Sequence, residues 1–248
     1  MTGILITTLA QRPELAGRLW DMANPWPAFA ENDPVASLLY PWMVARLDEY
    51  VFIATDGDEV VARAFSVPFA LHADGRGALP ARGWDQVLLW AFADRRDGVR
   101  PDTVSAIEIT VAPGRQGRGL SHLMLAAMRD NARAHGFAEV VAPVRPNGKP
   151  AEPDTPMGEY AYRTREDGLP CDPWLRVHVR AGAVIDSVAP LSMTISGSLA
   201  QWREWTGLPF DEPGPVRVPG ALVPVHCEPE HDHAVYVEPN VWVRHRLG

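Results

Sequence analysis

The segment between residues 103 and 135 constrains this chain more than any other. Thr103-Val-Ser-Ala-Ile-Glu-Ile-Thr-Val111 is dense in β-branched residues and reads as a strand. Ala112-Pro113-Gly114-Arg115-Gln116-Gly117-Arg118-Gly119 breaks it, and a helix over roughly 120–135 follows, with Leu123, Met124, Ala127 and Met128 on one face and Gly136 at its end. Ala138–Ala142 reads as the next strand. Strand, glycine loop, helix and strand make one βαβ unit. Glycines at 117 and 119 let the backbone approach an anion, and the helix start offers unpaired N–H groups and the positive end of a dipole. Arg115 and Arg118 add positive charge. The loop is a phosphate or pyrophosphate cradle. No Gly-Lys-Ser/Thr follows, so it is not a Walker loop. The preceding Val-x-Pro and the Gln/Arg set it apart from the dinucleotide GxGxxG loop.

Around this unit the chain predicts a strand at 3–9, a helix at 13–23 opened by Pro13, and a Pro/Trp turn at 24–27. A second helix follows Pro34, a hairpin spans 50–67 about Asp56-Gly57-Asp58, and an apolar helix covers 84–93. Beyond the unit come a proline-rich stretch from Pro143 to Pro173, a short helix at 173–181 and a strand at 183–195. A helix at 198–206, a second proline cluster at 209–219 and strands at 221–227 and 234–244 complete the reading. Composition narrows the class. A net charge of −8 disfavours nucleic acid and anionic membranes as partners, since both need a basic footprint. No window approaches the 18 or so apolar residues of a membrane span. Two cysteines, Cys171 and Cys227, make neither a metal spacing nor a disulfide framework and fit the cytoplasm.

The motif resembles the signature of the GNAT superfamily of acyl-CoA-dependent N-acyltransferases, Gln/Arg-x-x-Gly-x-Gly/Ala after a strand ending in Val-x-Pro. Gln116-Gly117-Arg118-Gly119-Leu120 fits, and Ser121 stands where Gly or Ala is usual. The likeness covers about residues 1–142. It implies a mixed α/β domain with a splayed central sheet and an elaborated C-terminal third. That is one domain over 1–248, with an acyl-CoA half at 1–142 and acceptor-side loops, helices and strands at 143–248. The resemblance further implies that the backbone of Ile109, Thr110 and Val111 pairs with the pantetheine arm. The N–H groups of Gln116, Gly117, Arg118, Gly119, Leu120 and Ser121 would hold the pyrophosphate. The implied reaction is transfer of an acetyl or other short acyl group from acetyl-CoA, or another acyl-CoA, to a small-molecule amine by direct attack.

Such a reaction needs a base for the amine and an acid for the thiolate. Glu108 is the carboxylate on the signature strand. Plain alternation turns Ile107 and Ser105 toward the substrate instead, and a bulge in the strand would restore Glu108. For the acid, His178 stands where the family carries a Tyr, with Tyr160 or Tyr162 as alternatives. Arg145, Tyr160 and Arg163 are candidates to clamp an acceptor carboxylate, because Arg presents a bidentate fork. Each of these residues also has a purely structural reading. The cluster His226-Cys227-Glu228-Pro229-Glu230-His231-Asp232-His233 has no zinc spacing, so no metal is expected. A C-terminal strand and exposed tryptophans suit a homodimer. A CoA-binding module without turnover, and O-acyl or longer-chain transfer, remain alternatives.

Overall fold

The computed structural model describes residues 3–248. In chain order it comprises β1 (Ile4–Thr8), α1 (Pro34–Arg46), β2 (Val51–Asp56), β3 (Glu59–Phe69), α2 (Gly83–Asp97), β4 (Thr103–Val111), α3 (Leu120–Ala134) and β5 (Glu139–Val144). Then follow α4 (Met157–Tyr160), α5 (Pro173–Arg180), β6 (Val184–Gly197), α6 (Leu199–Thr206), β7 (Gly214–Val216), β8 (Val225–Glu228) and β9 (His233–Arg246). The strands form one mixed sheet in the order β1-β2-β3-β4-β5-β9-β8-β7, with β6 pairing β9. Helices flank it, which is the mixed α/β architecture expected.

Two expectations at the ends of the sheet are corrected. Residues 13–23 do not form an α-helix. Pro13–Arg18 make a 3-10 turn that buries Leu15, since Pro13 at one end, Gly17 within and Pro25 beyond leave little room for an α ladder. The strand expected over 221–227 begins only at Val225. Pro224 lacks the N–H a ladder needs, and the partner strand β7 lies inside the second proline cluster.

Two features of β4 shape the cleft. Against β3, Phe65 pairs with Glu108 and Ser66 with Ala106, so Ile107 is an extra residue. This is a β-bulge. The carbonyl of Ile107 accepts instead from the Trp84 indole, 3.1 Å away. Against β5, the parallel ladder covers only Val104 and Ser105, because β5 turns to pair along its whole length with β9. From Ala106 onward β4 therefore presents an open edge. The sheet splays there.

The main core packs both faces of the central strands, with Phe52, Phe65, Phe69, Leu88, Met124, Met128 and Trp242 among its buried residues. A second cluster lies under α6, where Phe29, Trp202, Phe210 and Tyr236 meet. It escapes a sequence reading because Phe29 comes from the N-terminal third and Tyr236 from the last strand.

Candidate active site

A cleft of about 900 Å³ opens where β4 and β5 part. One wall is β4 from Ala106 to Val111 and the other is β5 with its continuation, Ala142 to Arg145. The glycine loop contributes Arg115, Gln116, Gly117, Leu120 and Ser121 to its lining, and the Asn24–Pro27 turn and α1 line it as well.

Gly119 caps α3 at φ +82°, and Gly117 lies at φ +73°. Both are left-handed positions that favour glycine. No protein atom lies within 4 Å of a Cβ placed on either, so the space beside the loop is open. Gln116 donates from Nε2 to the Val111 carbonyl at 3.3 Å, which draws the loop back onto β4. Arg115 is bound to Asp56 and Glu59 of the β2–β3 hairpin, so its charge is largely committed. Arg118 makes no ion pair among the described residues. Arg118 and Gly119 sit in the loop but outside the cleft lining. The open β4 edge, the two glycines and the unpaired N–H groups at the start of α3 fit a ligand with an amide-bearing arm and a pyrophosphate.

The bulge brings Glu108 to the cleft wall, buried to 8 % exposure. Arg63 Nε donates to its Oε1 at 2.8 Å and Thr110 Oγ1 to the same oxygen at 2.7 Å. Tyr40 donates to Oε2 at 2.5 Å. Burial and the Glu108 charge raise the Tyr40 phenol well above its ordinary range, so it stays protonated. Three donors leave this carboxylate room for one more partner on the cleft side. Trp26 donates to Thr110, and Arg63 lies over the Trp20 ring. Tyr40, Arg63, Trp26 and Trp84 were not singled out from the sequence. Their signal is weak there, because α1, β3, α2 and the Pro/Trp turn converge only in the fold.

His178 lines the cleft from α5, edge-on to Trp174. It is 2 % exposed, with Nδ1 2.9 Å from His245 Nε2. Burial, the second ring and the Arg129 charge hold it down at about 3, so it is neutral at neutral pH.

The acceptor-side candidates divide. Arg145 lines the cleft, its Nε donating to Glu238 at 2.9 Å and its Nη2 to the Gly220 carbonyl at 2.6 Å, with Trp26 beside the guanidinium. Tyr160 lies outside the lining. Its hydroxyl donates to Asp172 Oδ2 at 3.0 Å, and burial raises its pKa. Asp172 also caps α5 and accepts from the Gly148 N–H. Tyr160 therefore ties the proline-rich loop to α5, away from the cleft lining. Arg163 is likewise outside the lining, paired with Glu152 and Glu159 at the surface. In the C-terminal cluster the groups that approach one another are Glu228, Glu230 and His231, within 4.8 Å, and two of the three are exposed. Among the described residues no helix is long and apolar enough to cross a membrane.

No protein-family model matches the chain. It is 31% identical over 281 residues to an arginine N-acetyltransferase of Aspergillus versicolor, with 99% of this chain and 94% of the relative covered. Among solved structures it is similar to the loading GNATL domain of CurA from Lyngbya majuscula, at 18% identity, TM-score 0.58 and 98% of each chain. It is also similar to the GphF GNAT-like decarboxylase in complex with isobutyryl-CoA, at 16% identity, TM-score 0.54 and 99% of each chain. These two likenesses are ones of fold.

Proposed function

The chain belongs to the GNAT superfamily of acyl-CoA-dependent N-acyltransferases, and from that premise we propose that its cleft moves an acetyl group from acetyl-CoA to the amine of a small, amino-acid-sized acceptor, with arginine the first candidate. Acyl transfer from a CoA-derived co-substrate to an amine is the activity of the enzyme. The acetyl group, the acceptor and the residue roles are our reading. The observation that carries it is the open β4 edge, running from Glu108 to the glycine loop within one cleft.

In this reading Ile109, Thr110 and Val111 offer backbone groups to the pantetheine arm, and the N–H groups of residues 116–121 hold the pyrophosphate. Glu108 orients the incoming ammonium and takes the proton it sheds, while Arg63, Thr110 and Tyr40 fix the carboxylate. The neutral amine nitrogen then forms its bond to the acyl carbon as the C–S bond breaks, the sulfur leaves with the electron pair, and the second proton that the nitrogen sheds passes through water to the thiolate, giving amide and CoA thiol. The neutral His178 ring donates a hydrogen bond but carries no imidazolium proton to deliver. Arg145 supports an acceptor carboxylate through the guanidinium N–H groups not used by Glu238 and Gly220. Arginine as acceptor is supported by the activity named for the fungal relative. The free thiols Cys171 and Cys227 support the cytoplasm as the place of action.

The test is release of CoA thiol from acetyl-CoA with arginine, other amino acids and simple amines, with product mass measured. Arginine-dependent release with a matching mass increase is expected. Tight acetyl-CoA binding without release from any amine would instead favour a binding module.

A further inference from the structure

At the α5 side of the cleft two imidazoles meet, and the gap between them holds one hydrogen. His178 Nδ1 and His245 Nε2 lie 2.9 Å apart, with ring centroids at 5.2 Å. His245 is fully buried on β9, and its other nitrogen, Nδ1, has no hydrogen-bond partner among the described residues. His178 bonds through Nδ1, its Nε2 has no partner among the described residues, and the residue lines the cleft. Among the described residues the Arg129 guanidinium of α3 is the charge that acts on both rings; it donates through Nη1 to the Ala181 carbonyl, and its Nε has no partner there.

Two neutral arrangements are open. If His178 carried its hydrogen on Nδ1, His245 would carry its own on Nδ1, a buried N–H with no acceptor in the field of a positive charge. An orphaned donor of this kind is disfavoured, the more so beside a positive charge. In the other arrangement His245 donates from Nε2, and its Nδ1 is a bare lone pair that the Arg129 charge favours. We propose that His245 is a positioning residue for acyl transfer. It donates Nε2–H to His178 Nδ1 and so fixes His178 as a neutral ring whose hydrogen sits on Nε2, offered to the cleft where negative charge grows on the attacked thioester. The hydrogen stays on His178 throughout, so no proton is transferred in this interaction. Burial and Arg129 keep both rings neutral, with His178 held down at about 3 and His245 at about 4. A preorganised donor acts best where charge develops in a water-poor site. The inference rests on reading the cleft as the acyl-CoA site.

The experiment has two arms. In the ligand-free enzyme labelled with ¹⁵N-histidine, long-range ¹H–¹⁵N correlation at neutral pH reads the tautomers directly. Both rings are expected with hydrogen on Nε2, and a His178 ring carrying hydrogen on Nδ1, or on both nitrogens, overturns the proposal. The second arm compares His245→Gln, whose amide can donate from a similar place, with His245→Phe, which fills the space without a donor. The Gln variant should keep kcat within about 3-fold, and the Phe variant should lose roughly 10- to 100-fold with KM for acetyl-CoA unchanged. Equal turnover by the Phe variant overturns the proposal. If the Phe variant does not fold, the tautomer of the wild-type enzyme decides. The expected tautomer without thiol release from any amine counts against the acyl-transfer reading instead.

Discussion

Lys149, the one lysine among 23 basic residues, is wholly buried and donates from Nζ to three carbonyl oxygens, those of Glu152, Pro153 and Leu222. A compact ammonium with rotatable donors fits that cage, whereas a planar guanidinium does not. The residue stitches the proline-rich loop to the segment before β8. Lys149→Met should lower unfolding free energy by roughly 1.5–3 kcal/mol in denaturant titration, because charged hydrogen bonds are lost and carbonyls are left unpaired. Glu108 is the contrasting case, a buried charge held for chemistry. Glu108→Gln keeps the shape but cannot take the proton. It should lower kcat about 10²- to 10⁴-fold while acetyl-CoA still binds, as read by titration calorimetry.

At the scale of elements, β4 and α3 set the cofactor half of the cleft. The β4 bulge is held by Trp84, whose indole donates to the Ile107 carbonyl from α2. Trp84→Phe should cost about 1–3 kcal/mol of stability and raise KM for acetyl-CoA, since the freed carbonyl no longer fixes the edge that the ligand pairs with. The start of α3 is tested by Gly119→Asp. The left-handed φ costs a side chain about 1–2 kcal/mol, and the open space around it means the fold can tolerate the bulk. A carboxylate there repels pyrophosphate, so acetyl-CoA affinity should drop at least tenfold, while the melting temperature falls only by the several degrees that the backbone cost implies. Normal binding would remove the cradle from the account.

For the molecule as a whole, buried titratable groups pull stability in opposite directions with pH. Asp33 caps α1 and Asp85 on α2 accepts from the Thr194 N–H, and each keeps one oxygen unpartnered. Burial raises them to about 6 and about 7. The folded state thus binds more protons than the unfolded chain between about pH 4 and the folded values, and their contribution to stability is lost progressively as pH rises through 6 and 7. His178 and His245 are held below the ordinary imidazole value. Their contribution is complete above about 6.5 and is lost as pH falls toward 4 and 3. Melting temperature against pH should show a maximum between these limbs. Asp85→Asn should raise stability, and by clearly more at pH 8 than at pH 5, since the cost of the native carboxyl builds from about pH 4 to about 7; an unchanged alkaline limb would disprove the assignment.

Much of the fold was legible along the chain because it rests on local pattern. The β-branched run of β4, the Asp-Gly hairpin turn and the apolar stripe of α3 lie within ten or fifteen residues each, and backbone sterics and periodicity act over that range. The glycine loop was legible for the same reason, since its positive φ values and helix start are properties of consecutive residues. Tertiary structure alone decided the rest. Whether Glu108 faces the cleft depended on a bulge whose carbonyl is satisfied by Trp84, 23 residues away. The cage around Lys149 needed Leu222, and the His178–His245 pair joins α5 to the last strand, 67 residues on. Tyr160 and Arg163, plausible ligands by type, were claimed by Asp172, Glu152 and Glu159. Residue chemistry is written in the chain, but a buried polar group takes its role from whichever partner the fold brings within hydrogen-bond distance.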